Sequence, residues 1–108
     1  MAAYQAFKVD VQDAIAHVQI NRPEKVNAMN ADFWSEIREI FAWIEDTPAV
    51  RVVVLSGAGA HFSSGIDLML LAQVGAQLGQ DVGRNARTLK RKIEELQSSF
   101  NAVEQCSK

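Results

Sequence analysis

The sequence predicts an α/β fold on three observations. Period-two alternation near the N-terminus marks a hairpin. Helical spacing of apolar residues from Phe33 to Ile44 marks an amphipathic helix. An unbroken apolar run, Val52 to Leu55, marks a strand of a parallel sheet. The expected order is hairpin, helix, strand, loop and long helix, within one domain of 108 residues.

The first strand is expected where Phe7, Val9 and Val11 alternate with Lys8, Asp10 and Gln12. Gln12-Asp13 reads as the turn. The second strand, Ala14 to Ile20, carries Ile15, His17 and Gln19 on one face and Ala16, Val18 and Ile20 on the other. Pro23 in Asn21-Arg22-Pro23-Glu24-Lys25 then breaks the pattern, because it fixes φ and lacks an N–H. Asn30 is a good N-cap for the first helix, and Asp32 suits its positive end. Phe33, Ile37, Ile40, Phe41 and Ile44 form one stripe, with Glu36, Glu39 and Glu45 expected to face water. Thr47-Pro48 ends that helix.

The strand Arg51 to Leu55 is expected to be buried on both faces, and strand, helix, strand implies a crossover connection. The turn Ser56-Gly57-Ala58-Gly59 and the loop His61-Phe62-Ser63-Ser64-Gly65-Ile66-Asp67-Leu68 lead to a short apolar segment, Leu68 to Leu71. Gln73 to Gln80 reads as a polar connection. The last helix is expected from about Asp81 to Cys106. Its seam, Val82, Ala86, Leu89, Ile93, Leu96, Phe100 and Val103, alternates steps of four and three.

Composition narrows the function. The apolar fraction of 48% belongs to a globular chain. Eleven Lys and Arg against 13 Asp and Glu give no reason to expect nucleic acid as a partner. No apolar run approaches the roughly 20 residues that span a bilayer. Met1 to Phe7 lacks the pattern of a targeting segment, and the single Cys106 excludes an intrachain disulfide, so a reducing compartment, the cytoplasm, is expected. His17 and His61 lack metal-ligand spacing, and no metal site is expected.

Three features could carry chemistry. The Gly65 loop joins a strand to a helical turn, so its small residues leave backbone N–H groups for a ligand; a plain surface turn is the competing reading. Arg22 or Lys25, on the rigid turn, could meet a phosphate, unless that turn is merely solvated. The basic run Arg84, Arg87, Lys90, Arg91, Lys92 could meet a polyanion. It reads better as a solvated face, with Glu94 and Glu95 in i,i+4 register with Lys90 and Arg91. Asp67 reads either as a carboxylate at the site or as an N-cap for the turn that follows. Trp34 and Trp43 are expected to pack in a core or an interface.

Asn21-Arg22-Pro23 followed by Asn27-Ala28-Met29, then Val52-Val53-Val54-Leu55-Ser56-Gly57, then Phe62-Ser63-Ser64-Gly65-Ile66-Asp67-Leu68, resemble the N-terminal half of the crotonase (enoyl-CoA hydratase/isomerase) superfamily. Gly65-Ile66-Asp67-Leu68-Met69 and the long basic helix are most similar to dienoyl-CoA isomerases. The resemblance implies the first part of a ββα spiral that binds an acyl-CoA thioester, with coenzyme A as part of the substrate and no other cofactor. In that family two backbone N–H groups hold the thioester enolate oxygen, and the first corresponds to Ile66. Donors of this kind are worth roughly 3–4 kcal/mol each. Ser63 and Ser64 match positions against the adenine, and Lys25 and Val26 match the turn flanking the nucleotide. Ala28, Gly65, Asp67, Leu68 and Met69 complete the implied substrate site.

Family members run well past this length. The resemblance therefore implies that the second donor, the acid/base carboxylates and the trimerising helices lie outside residues 1–108, and that the chain alone is inactive. It also implies uncovered apolar surface, and hence a homo-oligomer or a partner supplying the other half. The alternative reading is a non-catalytic interaction module using the long C-terminal helix.

Overall fold

Strands β1 (Phe7–Gln12) and β2 (Ile15–Ile20) pair antiparallel in the computed structural model, which describes residues 3–108. Met1 and Ala2, the start of the N-terminal segment that lacks a targeting pattern, lie outside the described residues. The turn is Asp13-Ala14, one residue later than the sequence suggested. Both residues have positive φ, 54° and 65°, the backbone that matches the twist of a two-residue hairpin. Neither is glycine, so the usual sequence signal for such a turn is missing.

A single 3-10 turn, Pro23–Lys25, leads to helix α1 (Ala31–Glu45). The Asn30 side chain accepts from Phe33 N–H at 2.9 Å, as a cap should. The whole expected stripe, Phe33, Ile37, Ile40, Phe41 and Ile44, is buried. It packs on Phe7, Ala16, Val18 and Ile20 from the sheet, and Phe7 stacks on Phe33 at 5.1 Å between centroids. Full burial of such side chains stabilises by about 1.5–3 kcal/mol each.

Glu36 corrects the expectation that it faces water. It is buried, and its carboxylate accepts from Gln5 N–H at 2.9 Å and Ala6 N–H at 2.8 Å. It thus pairs backbone donors that precede β1. Glu39 is exposed as expected. Glu45 is exposed too, but Ser107 donates to it through both N–H and hydroxyl, and those bonds hold its carboxyl below the usual range.

Strand β3 (Val52–Gly57) pairs parallel with β2, giving sheet order β1-β2-β3. The parallel pairing agrees with the sequence; burial on both faces does not. Val53 and Leu55 pack against the core, while Val52 and Val54 remain 48% and 43% exposed on the open face.

Two helices follow. The segment read as Leu68 to Leu71 is a longer helix, α2 (Leu68–Ala76), and takes up half of the expected polar connection. Helix α3 (Val82–Glu104) begins at its N-cap Asp81, whose side chain accepts from Arg84 N–H. It packs on α1 through its C-terminal half. Fully buried Ser99 donates to the Trp34 carbonyl at 2.7 Å and accepts from Arg38 Nη1 at 3.1 Å. Phe100 meets Trp34 edge to face at 5.1 Å. The N-terminal end of the seam is bare, with Val82 81% exposed. The radius of gyration, 15.6 Å, exceeds the roughly 13 Å of a compact domain this size because α3 overhangs. Lys90 pairs with Glu94 as expected, but Glu95 is met by Lys92 at 3.6 Å rather than by Arg91.

Glu36→Ala should lower stability by about 1–3 kcal/mol, since the buried Ala6 N–H loses its acceptor. Glu39→Ala should change it by less than about 0.5 kcal/mol. Urea unfolding of the two variants checks this, and equal effects would contradict the assignment.

Candidate functional site

The turn after β2 and the loop after β3 are far apart in sequence and are bound into one unit. Asn27 is the centre of it. Its side chain is fully buried; Oδ1 accepts from Arg22 N–H at 2.9 Å, and Nδ2 donates to the carbonyls of Ala58 and His61, both at 2.8 Å. The Asn27 carbonyl accepts from Ser63 Oγ at 2.8 Å, and the Val26 carbonyl accepts from Ser64 N–H at 2.9 Å. Both Val26 and Asn27 are left-handed, with φ of 52° and 55°. Asn tolerates that conformation; a β-branched valine does not, at a cost of order 1–2 kcal/mol. Such strain persists only where surrounding bonds over-determine it.

Glycine is needed at two places for different reasons. A Cβ on Gly57 would stand 2.4 Å from the Phe62 carbonyl oxygen, so only glycine permits the loop to fold back there. Gly65 has open space in front of it but a φ of +96°, so only its conformation requires glycine.

That turn at Gly65 sets the direction of Ile66. Met29 N–H donates to the Gly65 carbonyl at 2.8 Å, and Asp67 N–H donates to the Met29 carbonyl at 3.0 Å. This is a one-residue parallel bridge between Met29 and Ile66. In such a bridge Ile66 directs its own N–H away from Met29. Among the described residues the Ile66 N–H has no acceptor, and the residue is 36% exposed. The amide singled out from the sequence is therefore free at the surface of the loop.

Arg22 is not a free cation. Its Nη1 donates to the Ala28 carbonyl and, at 3.1 Å, to Asp67 Oδ2, with both side chains about six-sevenths buried at 15% and 14% exposure. This corrects the phosphate reading for Arg22 and leaves it to Lys25, which is exposed. Asp67 is the N-cap of α2, accepting from Met69 N–H at 2.8 Å. That bond first, and the Arg22 guanidinium second, hold its carboxyl below the usual range.

The loop borders a cleft of ≈ 310 Å³ lined by Arg22, Lys25, Asn30, Ala31, Asp67, Met69, Leu70 and Gln73. Of the residues expected at a substrate site, Lys25, Asp67 and Met69 line it, and Ile66 does not. Ala28, Ser63 and Gly65 are half-buried within the bonded unit. Val26, Ser64, Leu68 and Met69 stand on its surface, Leu68 at 79% exposure. Leu68, Met69 and Leu71 leave one end of α2 apolar and open. Sequence reasoning missed Asn27 as the organiser; two adjacent non-glycine residues in left-handed backbone have no signature in composition. No three His, Cys, Asp or Glu side chains gather as a metal site among the described residues.

Asn27→Gly keeps access to the left-handed backbone and removes the three side-chain hydrogen bonds. It should cost roughly 2–4 kcal/mol by denaturant unfolding. Asp67 tests the electrostatics. Its pKa is lowered in the folded state, so its stabilisation is complete above the unfolded value near 4 and is lost as pH falls through the folded value. Asp67→Asn keeps an acceptor for Met69 N–H, and its urea midpoint should fall less steeply than that of the parent below about pH 4.

Residues 10–103 match the sequence profile of the family described as Enoyl-CoA hydratase/isomerase. The peroxisomal Delta(3,5)-Delta(2,4)-dienoyl-CoA isomerase of Arabidopsis thaliana is 38% identical over 113 residues, covering 100% of this chain and 41% of that relative. The mitochondrial enzyme of that name from Rattus norvegicus is 46% identical over 107 residues, covering 97% of this chain and 33% of the relative. The chain thus spans well under half the length of these curated relatives. Among solved structures, an enoyl-CoA hydratase/isomerase from Marinobacter aquaeolei superposes with a TM-score of 0.84 at 27% identity, over 95% of this chain and 38% of that one. One from Xanthobacter autotrophicus Py2 does so with a TM-score of 0.80 at 25% identity, over 96% and 36%. The hairpin, crossover helix, parallel strand, bonded loop and long helix are the N-terminal part of the crotonase ββα spiral, and the chain belongs to the enoyl-CoA hydratase/isomerase family.

Proposed function

We propose that this chain builds the first half of an acyl-CoA site, with the Ile66 amide donating to the thioester oxygen. The observation that carries the reading is the free Ile66 N–H, flanked by the Gly65 and Asp67 N–H groups, which are both bonded within the protein. A donor fixed before the ligand arrives needs no reorganisation when charge develops on the thioester oxygen. In this reading Lys25 and Val26 flank the nucleotide, Ser63 and Ser64 lie along the adenine, and Ala28, Gly65 and Asp67 shape the wall. Leu68 and Met69, both exposed, offer apolar surface to the acyl chain. Coenzyme A enters as part of the substrate, and no further cofactor is invoked.

Ile66 is the one donor this reading assigns, and Glu94, Glu95 and Glu104 lie exposed along α3, away from Ile66 in sequence. The proposal is therefore binding without turnover by this chain alone, with a homo-oligomer or further protein supplying the rest of the centre. No helix is long and apolar enough to cross a membrane among the described residues. The free Cys106 supports a reducing compartment; the cytoplasm is the simplest, although the relatives above are named for the peroxisome and the mitochondrion. A second reading, an interaction module, is favoured by the overhang of α3 and by the exposure of Val82, Ile93 and Phe100 along one edge of its seam.

Calorimetric titration of the 108-residue chain with acetyl-CoA separates the two. Saturable binding that Ile66→Pro abolishes and Ile66→Val retains supports the acyl-CoA site. No binding, together with helicity that rises with protein concentration, supports the interaction module. Crotonyl-CoA hydration by the purified chain should be undetectable, and measurable turnover would overturn the one-donor reading.

A further inference from the structure

The Ile66 amide is held by a short chain of bonds, and one side chain joins both ends of it. Met29 brackets Ile66 through the Gly65 carbonyl on one side and the Asp67 N–H on the other. Ile66 lies between these two anchors, and Gly65, which carries the first, has nothing crowding it. The direction of the Ile66 N–H therefore depends on how firmly residues 28–29 stay beside residue 67. Arg22 Nη1 reaches both sides of that seam, donating to the Ala28 carbonyl on one strand of the bridge and to the Asp67 carboxylate on the other. The guanidinium and the carboxylate are both largely shielded from water, so the pair is screened less than a surface ion pair. A charge-assisted bond of this kind is roughly twice as strong as a neutral one.

We infer that Arg22 is a positioning residue: by clamping Ala28 to Asp67 it aims the Ile66 amide at the thioester oxygen, and so sets preference for acyl-CoA over CoA rather than affinity for the nucleotide. This rests on the acyl-CoA reading above. Arg22 borders the cleft beside Lys25, but its side-chain hydrogen bonds go to Ala28 and Asp67, so its role here runs through those two residues. The nucleotide contacts proposed for Lys25, Val26, Ser63 and Ser64 are held separately, through Asn27 and the bond from Ser64 N–H to the Val26 carbonyl. The two functions are therefore separable by substitution.

The test has a ligand-free arm and a ligand arm, each run on the 108-residue chain. Amide hydrogen exchange by NMR reads the clamp directly. In Arg22→Gln the Met29 and Asp67 amides should exchange at least about tenfold faster than in the parent, while hairpin amides such as Val9 and Val18 keep their rates. Arg22→Lys should restore part of the protection. Asp67→Asn, which still caps Met69, should reproduce the Arg22→Gln pattern should the former fold poorly. Unchanged exchange at Met29 and Asp67, or a rise shared equally by the hairpin, overturns the positioning role.

In the ligand arm, calorimetry compares acetyl-CoA with CoA. The ratio of their affinities should fall about two- to tenfold in Arg22→Gln, with acetyl-CoA losing more affinity than CoA. Equal loss for both ligands overturns the inference, because a merely structural role would weaken both. A parent chain that binds CoA but shows no preference for acetyl-CoA defeats the acyl-CoA reading itself, and the aiming role with it. The exchange arm then still decides whether Arg22 clamps the loop.

Discussion

The fully buried side chain of Asn27 is the constraint on which the site depends. It takes one backbone donor from the turn after β2 and gives two protons to the loop after β3. Those backbone groups are part-buried and cannot all turn to water, so leaving them unpaired would cost on the order of 1–3 kcal/mol each. The amide is the one side-chain type that offers both donors and an acceptor without charge. Its own left-handed backbone, and that of Val26 beside it, are tolerated because those bonds leave the turn no better alternative.

Around that centre, packing supplies rigidity and electrostatics supplies direction. Helix α1 fills the sheet with its apolar stripe and starts two residues after Met29, whose carbonyl accepts from both Asp67 N–H and the Trp34 indole. The bridge that carries Ile66 is thus tied to the first turn of the best-packed helix in the chain. Arg22 and Asp67 add a charged brace across the same seam. A backbone donor aimed in advance, on a loop held by buried side chains, is the arrangement that stabilises developing negative charge most effectively. What surrounds it is less finished. The open face of β3, the overhanging end of α3 and the apolar end of α2 expose surface that a closed domain would cover.

How legible each part was depended on how local its cause was. The α1 stripe, its Asn30 cap and the β1 alternation were all readable, because periodicity and capping act over a few residues. The hairpin turn slipped by one because Asp13-Ala14 adopts positive φ without glycine. Glu36 was misjudged because its acceptors' partners, Gln5 and Ala6, lie about thirty positions away in sequence, at separations of 31 and 30. Val52 and Val54 misled in the opposite way: a parallel strand was correctly inferred, but here one of its faces has nothing packed on it. The Arg22 assignment failed for the same reason as Glu36, since a cation on a turn looks free until its carboxylate, 45 residues later, is brought beside it.

The sequence by itself determined the elements, the family and the importance of the Gly65 loop, since short motifs and periodic stripes record local conformational demands. Only the tertiary structure decided which backbone groups remain available. The 22–29 turn takes up the N–H groups of Ser64 and Asp67, the Ser63 hydroxyl takes up that of Gly65, and that of Ile66 is left. The physical reason is that an amide's freedom is set by what is folded against it, and in this chain the groups folded together are separated by some 30 to 45 residues.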